Sequence, residues 1–600
     1  MNYGTLPSKL LDAVDRLANP RAQMFRGPSG WAAISSSEFL RRIAGLSNAL
    51  VELGVKTGDR VAIFCANRPE WHAADFAITG AGGVSVPIYF NESPQRMAYI
   101  LNHSAAKIVF VSGTAQLEKL LACRSELSEV EQIIAADAGP GLPVECLRYE
   151  TLIAGAGDSD VASYRLRAAQ VSSGQLSSLI YTSGTTGEPK GVMLTHANFC
   201  SNVTDTHLDL NFDPKVDLAL SFLPLAHVYG RMVDYSFLFH GLTVAYVESV
   251  EQVSQAMVEL HPTVMAAVPR VFEKMYNRII EQGSKLTGPR RKLFDWAMRV
   301  ANRTAARDGE KLPIGEKMKR AIANRLVYSK IRAGTGGRLN KVFSGGAPLS
   351  KNLTEFFWAI GIPIYQGYGL TETSPVLTSN YPHNRAGSSG KPIPNVEIRI
   401  APDGEILARG PCVMQGYYKN PQATREVLTA DGWFSTGDIG YLDADNYLFI
   451  TDRKKDLIKT AAGKFVAPQP IENALKSSPY ILNAMVIGDQ RKFVVALLVP
   501  NVVTIAAKAA EEGITLAPGE IVMNPWVRSL IESEVARLTS NLAQYETVKR
   551  FALLPEDFTF DNGSLTFTLK LKRRVVEQNY RKIIDELYGD IAEPRPQLRT

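Results

Sequence analysis

The residues best suited to chemistry lie in one string, Ser178-Leu179-Ile180-Tyr181-Thr182-Ser183-Gly184-Thr185-Thr186-Gly187-Glu188-Pro189-Lys190-Gly191-Val192. An apolar strand runs into a loop of small hydroxyl residues and glycines. A lysine then precedes a second apolar stretch, Val192–Leu194. Gly184 and Gly187 let backbone N–H groups close on a polyanion, and Thr182, Ser183, Thr185 and Thr186 add hydroxyl donors. Lys190 supplies a cation for triphosphate oxygens. The spacing is not that of the nucleoside-triphosphatase loop, which places Gly-Lys-Ser/Thr after its first glycine at a fixed interval. The loop is expected to join two strands, not a strand to a helix. The plain alternative is a surface turn rich in Ser, Thr and Gly; the whole string with its lysine argues against it.

The elements that must hold such a loop read as α/β. Residues 36–54 form an amphipathic helix capped by Ser36 or Ser37, with Leu40, Ile43, Leu46, Leu50 and Leu53 on one face and Gly54 closing it. Strand-like Val61–Phe64 and Ala106–Val111 follow. Lys341–Phe343 reads as a strand, Ser344-Gly345-Gly346-Ala347-Pro348 as a turn, then a helix capped by Ser350 and a strand at Ile362–Tyr365. Strand, glycine turn, helix, strand is the layout that places ligands at the carboxyl ends of strands. Beyond about residue 395 hairpins are expected at Val396–Ile400/Glu405–Ala408 and Gly440–Leu442/Tyr447–Thr451. The charged segment Asp452–Asp456 follows. A boundary is expected there: residues 1–452 as a large multi-subdomain α/β body, 453–600 as a smaller, mobile C-terminal α+β domain.

Composition bounds the function. The 600 residues are 45% hydrophobic and 21% charged, so a large core is available and global disorder is excluded. A net charge of +6 over that length does not mark a nucleic-acid binder. The five cysteines are scattered without a C-x-x-C pair, which argues against a disulfide framework or structural zinc and for a reducing, cytoplasmic setting. The N-terminus lacks the basic-then-apolar pattern of a signal peptide. The most apolar charge-free run, Phe76–Phe90, is short of the ~20 residues of a membrane span. Peripheral membrane contact and a homodimer stay open.

Tyr181–Lys190 resembles the signature loop of the adenylate-forming superfamily. Four further motifs agree in the family's order: Tyr365-Gln366-Gly367-Tyr368-Gly369-Leu370-Thr371-Glu372-Thr373, Ser435-Thr436-Gly437-Asp438, Thr451-Asp452-Arg453-Lys454-Lys455-Asp456 and Leu565–Arg574. Gly345-Gly346-Ala347-Pro348 and Asp452–Lys459 look most like the long-chain fatty acyl-CoA synthetases. The resemblance implies two half-reactions. A fatty acid carboxylate attacks the α-phosphorus of ATP to give acyl-AMP and pyrophosphate, and coenzyme A then takes the acyl group and releases AMP.

It also implies roles. Glu372, with Thr185, would ligate Mg2+, and Thr371 would contact the α-phosphate. Asp438, assisted by Arg453, would accept from the ribose hydroxyls. Gly345, Gly346 and Ala347 would form one adenine wall and Tyr368, in the Gln366-Gly367-Tyr368-Gly369 segment, the other. His227 would sit beside the acyl entrance. Lys570 would bridge carboxylate and phosphate during adenylation, and the segment around Lys455 would act as a hinge. Phe567 stands where relatives often carry proline. Plainer readings are a core histidine for His227 and a solvated basic face for Lys570, Lys572, Arg573 and Arg574. Two other functions compete: delivery of the acyl group to a carrier-protein thiol, and a non-catalytic nucleotide-binding protein.

Overall fold

The computed structural model describes residues 3–137, 142–143, 146–182, 188–206, 210–305, 312–517, 519–559, 562–565 and 571–589. Ser183, Gly184, Thr185, Thr186, Gly187, Phe567 and Lys570 lie outside the described residues.

Two large sheets build the N-terminal body. One runs in the order Gly416–Tyr417, Lys190–Thr195, Leu176–Thr182, Val84–Ile88, Arg60–Phe64, Ala106–Gly113, Gln132–Asp137, Cys146–Arg148. Its central strands pair in parallel and are apolar almost throughout, as strands covered on both faces must be. The other sheet centres on the parallel strands Thr243–Tyr246, Leu218–Ser221, Val264–Ala267, Lys341–Ser344 and Ile364–Gly369. Helices such as Ser36–Glu52 and Pro69–Gly80 pack apolar faces into the main core. A four-stranded antiparallel sheet follows, Glu397–Ile400, Glu405–Arg409, Phe434–Leu442 and Leu448–Arg453. Further on, Ile481–Ile487, Val495–Pro500 and Arg550–Leu553 form a separate sheet with its own cores. The molecule is thus a large mixed α/β body followed by a smaller C-terminal domain.

Local expectations need three adjustments. Ser35, not Ser36 or Ser37, caps the first helix, its side chain accepting from the Glu38 N–H at 3.1 Å. The strand expected from Ile362 begins at Ile364, because the Ile362 N–H closes the preceding helix onto the Phe357 carbonyl at 2.8 Å. The strand expected at Gly440–Leu442 extends back to Phe434, since this segment also pairs with Glu405–Arg409. Asp438 therefore sits within a strand, not in a turn.

Candidate active site

The glycine–hydroxyl loop is closed at its base by two antiparallel strands, in which Thr182 pairs with Lys190. Strand–loop–strand is the expected arrangement. The short strand Gly416–Tyr417 adds to the same hairpin, Tyr417 opposite Val192. The Lys190 ammonium lies over the Tyr417 ring, 5.0 Å from its centre. The Tyr417 hydroxyl donates to Glu372 Oε1 at 2.8 Å. Burial and the Glu372 charge raise the Tyr417 pKa, so the phenol stays a donor. Glu372 arrives on a 3-10 turn, Thr371–Thr373, directly after the strand Ile364–Gly369. A cation and a carboxylate from distant motifs thus meet across one aromatic ring.

A second cluster forms across the hairpin Phe434–Leu442/Leu448–Arg453. Asp438 and Arg453 are direct cross-strand partners, and Arg453 Nε lies 3.2 Å from Asp438 Oδ1. The Tyr368 hydroxyl donates to Asp438 Oδ2 at 2.7 Å. Burial, then the Asp438 charge, holds the Tyr368 pKa well above its ordinary value. The Asp438 carboxylate is buried yet lines a cavity, which suits an acceptor for paired hydroxyls. The charged segment beyond is anchored: Lys454 Nζ donates to Asp403 and Glu405 at 2.7 and 2.8 Å. Asp452 accepts from the N–H groups of Arg453 and Gln469 at 2.7 and 3.0 Å, and burial pushes its pKa up to about 6.

Turns at the carboxyl ends of strands complete the wall. A Cβ on Gly345 would lie 2.9 Å from the Tyr229 ring, so that ring packs directly on the backbone there. A Cβ on Gly369 would collide with the Pro375 carbonyl at 1.6 Å, which makes glycine obligatory. Gln366 holds the wall: its Oε1 accepts from the Leu349 N–H at 3.2 Å and its Nε2 donates to Ser389 Oγ at 3.3 Å. His227 caps the helix Val228–Phe239, its Nδ1 accepting from the Tyr229 N–H at 3.1 Å. The Tyr229 hydroxyl and Ser344 Oγ are buried with no hydrogen-bond partner among the described residues. Both residues line the cavity, so a polar ligand has donors and acceptors waiting for it.

Two cavities of about 990 and 930 Å3 share Gly346, Gly367, Tyr368, Gly369 and Arg453. Thr182, Lys190, His227, Gly345, Thr371 and Glu372 line the first; Ala347, Gln366 and Asp438 line the second. Every described candidate therefore lines one or both of these adjoining cavities. Lys572 lines both cavities. Its neighbour Arg573 is not solvated as a basic run suggests, but forms two 2.7 Å bonds to Glu472.

The sequence reading assigned no role to Tyr417, Tyr229 or the charge cluster behind the loop. The Arg231 guanidinium is fully buried, bonds Ser178 Oγ at 2.6 Å on the strand leading into the loop, and pairs with Asp75, to which Tyr235 also donates. No spacing rule links positions so far apart. The one legible signal was an arginine and three acids inside largely apolar helices.

Residues 13–418 match the family described as AMP-binding enzyme, and residues 455–592 the AMP-binding enzyme C-terminal domain. The chain belongs to this family of AMP-binding enzymes. It is 37% identical over 577 residues to the long-chain-fatty-acid–CoA ligase FadD15 of Mycobacterium tuberculosis, covering 93% of each chain. It is 32% identical to the long-chain-fatty-acid–CoA ligase 1 of Homo sapiens, covering 91% of this chain and 81% of that one. Its fold matches the crystal structure of the anthranilate CoA ligase AuaEII in complex with anthranoyl-AMP, with a TM-score of 0.74 at 20% identity over 98% of this chain and 99% of that one. These likenesses make the protein an AMP-forming ligase of the acyl-CoA synthetase family, which implies the use of ATP.

Proposed function

We propose that the protein converts a long-chain fatty acid, ATP and coenzyme A into acyl-CoA, AMP and pyrophosphate. The observation that carries this reading is the 990 Å3 cavity, lined by Lys190 and Glu372 and also by Val228, Met232, Val233, Phe237 and Val376. Charged lining suits a triphosphate, and apolar lining suits an alkyl chain. The names of the relatives support the same substrate class.

In this reading Lys190 and the loop 182–187 cradle the β- and γ-phosphates, Thr371 meets the α-phosphate, and Asp438 with Arg453 holds the ribose. Adenine lies between Tyr368 and the turn Gly345–Ala347. His227 stands where the carboxylate enters. Glu372, fixed by Tyr417, offers a hard carboxylate oxygen in a phosphate-facing cavity, as magnesium requires. Glu372 and Thr185 would hold that ion, which neutralises phosphate charge when bound. The carboxylate oxygen bonds to the α-phosphorus as the bond to pyrophosphate breaks, and Lys570 neutralises the charge that moves between them. The thiol sulfur then bonds to the acyl carbon, AMP leaves, and the thiol proton passes to solvent. A boundary at residue 453 lets the C-terminal domain turn about Arg453–Asp456 between the steps.

A panel of carboxylic acids of increasing chain length, offered with ATP, magnesium and coenzyme A, tests this. Acyl-CoA and AMP should appear in equal amounts, with kcat/KM rising toward long chains. AMP release without thioester would favour delivery to a carrier protein, and a preference for short or aromatic acids would overturn the long-chain assignment.

A further inference from the structure

Away from the cavities, the helix Ile314–Ala323 and the π-helical turn Asn324–Tyr328 present an apolar stripe to solvent. Ile314 is 85% exposed, Met318 64%, Ile322 46% and Leu326 42%. Single exposed apolar residues need no explanation, but four at successive steps of four do. Each step of four turns the face by only about 40°, so the side chains make one continuous band. The opposite face is already satisfied. Ala323, Val327 and Tyr328 are buried in the core beneath the second sheet, and the Tyr328 hydroxyl donates to the Ala297 carbonyl at 2.7 Å.

Charge selects the occupant. Lys317, Arg325 and Lys330 are exposed on the same stretch, while Lys319 pairs at 2.9 Å with Glu316, the one acid between Ile314 and Arg332. The helix also touches the body behind the cavity. Arg320 Nη2 donates to the Trp358 carbonyl at 3.1 Å, and the Trp358 ring stands edge-on to Tyr365, a residue of the 990 Å3 cavity wall. No helix among the described residues is long and apolar enough to cross a membrane. An apolar band bordered by cations is the form of a helix that lies in the plane of a bilayer, side chains in the acyl boundary and ammonium groups among anionic headgroups.

We propose that Ile314–Tyr328 is a membrane-docking face that seats the enzyme on an anionic lipid bilayer. The cations meet the headgroups and the stripe enters the hydrocarbon boundary. A second copy of the chain would cover the stripe but gains nothing from like charges set against like charges.

The test is flotation of the full chain with unilamellar vesicles of phosphatidylcholine containing about a third phosphatidylglycerol, against vesicles of phosphatidylcholine alone. Met318→Ser/Ile322→Ser should lower partitioning about tenfold while ATP–pyrophosphate exchange with a micelle-free acid stays unchanged, which certifies the fold. Lys317→Glu/Arg325→Glu should abolish the preference for anionic vesicles and its sensitivity to salt. Soluble glycerol phosphate should not compete, because a headgroup without its bilayer offers the stripe nothing. Unchanged partitioning of both variants overturns the proposal. So does light scattering in which the serine variant splits a dimer while vesicle binding persists, since the stripe would then be an interface between copies.

Discussion

The Tyr417 hydroxyl donates a 2.8 Å hydrogen bond to Glu372 while the Lys190 ammonium rests over the same ring. One tyrosine thus fixes the carboxylate assigned to magnesium and the cation assigned to the phosphates. Removing the hydroxyl frees Glu372 without removing its charge. A hydrogen bond to a charged group is worth roughly 1.5–3 kcal/mol, so Tyr417→Phe should lower ATP–pyrophosphate exchange about tenfold and raise the magnesium concentration for half-maximal rate. A magnesium titration of both proteins checks this.

Asp438, set between the Tyr368 hydroxyl and the Arg453 guanidinium, is assigned to the ribose. Asp438→Asn should raise the KM for ATP about 10–100-fold, through loss of charge-assisted acceptance. The native enzyme should discriminate against 2′-deoxy- and 3′-deoxy-ATP, and the variant should not. Steady-state kinetics with the three nucleotides separates a ribose role from a merely structural one.

Much of this site was legible because its chemistry is local. The loop 178–192 carries its own strand, turn and strand signals, and two strands do flank it; the register, Thr182 opposite Lys190, comes from the structure. The turn Ser344–Pro348 and the helix capped by Ser350 are read the same way, since caps and glycines act over a few residues. What was hidden is what sheet order brings together. Tyr417 reaches Glu372 only because the strand Gly416–Tyr417 adds to the phosphate hairpin's edge, and Arg231 reaches Asp75 from another helix. Three adjacent serines at 35–37 compete for the cap; Ser35 takes it, at the capping-box spacing of three residues before Glu38.

The Arg231–Asp75 pair is fully buried, with Tyr235 and Ser178 completing its hydrogen bonds. Deleting one partner strands a charge in the core. Arg231→Met or Asp75→Leu should each destabilise the body by about 3–5 kcal/mol, and the double variant by less than either alone. Urea denaturation followed by tryptophan fluorescence reads both effects.

Burial pushes the Asp234 pKa from its ordinary 3.8 up to about 7. Its Oδ2 accepts from Ser221 Oγ at 2.6 Å, and His72 Nε2 lies 3.9 Å away, itself driven down to about 3 by burial and so neutral. The folded chain keeps the Asp234 proton between about pH 4 and pH 7, where the unfolded chain has released it. The contribution of Asp234 to stability therefore falls as pH rises through that window, against the rise that neutral, buried His72 supplies. Asp234→Asn mimics the protonated form. It should match the native protein near pH 4 and exceed its stability by about 1–3 kcal/mol above pH 7. Denaturation midpoints across that range test the sign directly.

The central claim is that a lysine from the C-terminal domain completes the adenylation site and is dispensable for thioester formation. Measuring the two half-reactions separately in Lys570→Ala tests it most directly. Acid-dependent ATP–pyrophosphate exchange should fall about 100-fold or more, while formation of acyl-CoA from supplied acyl-AMP and coenzyme A stays within severalfold of the native rate. Equal loss of both half-reactions, or none of either, would contradict the account.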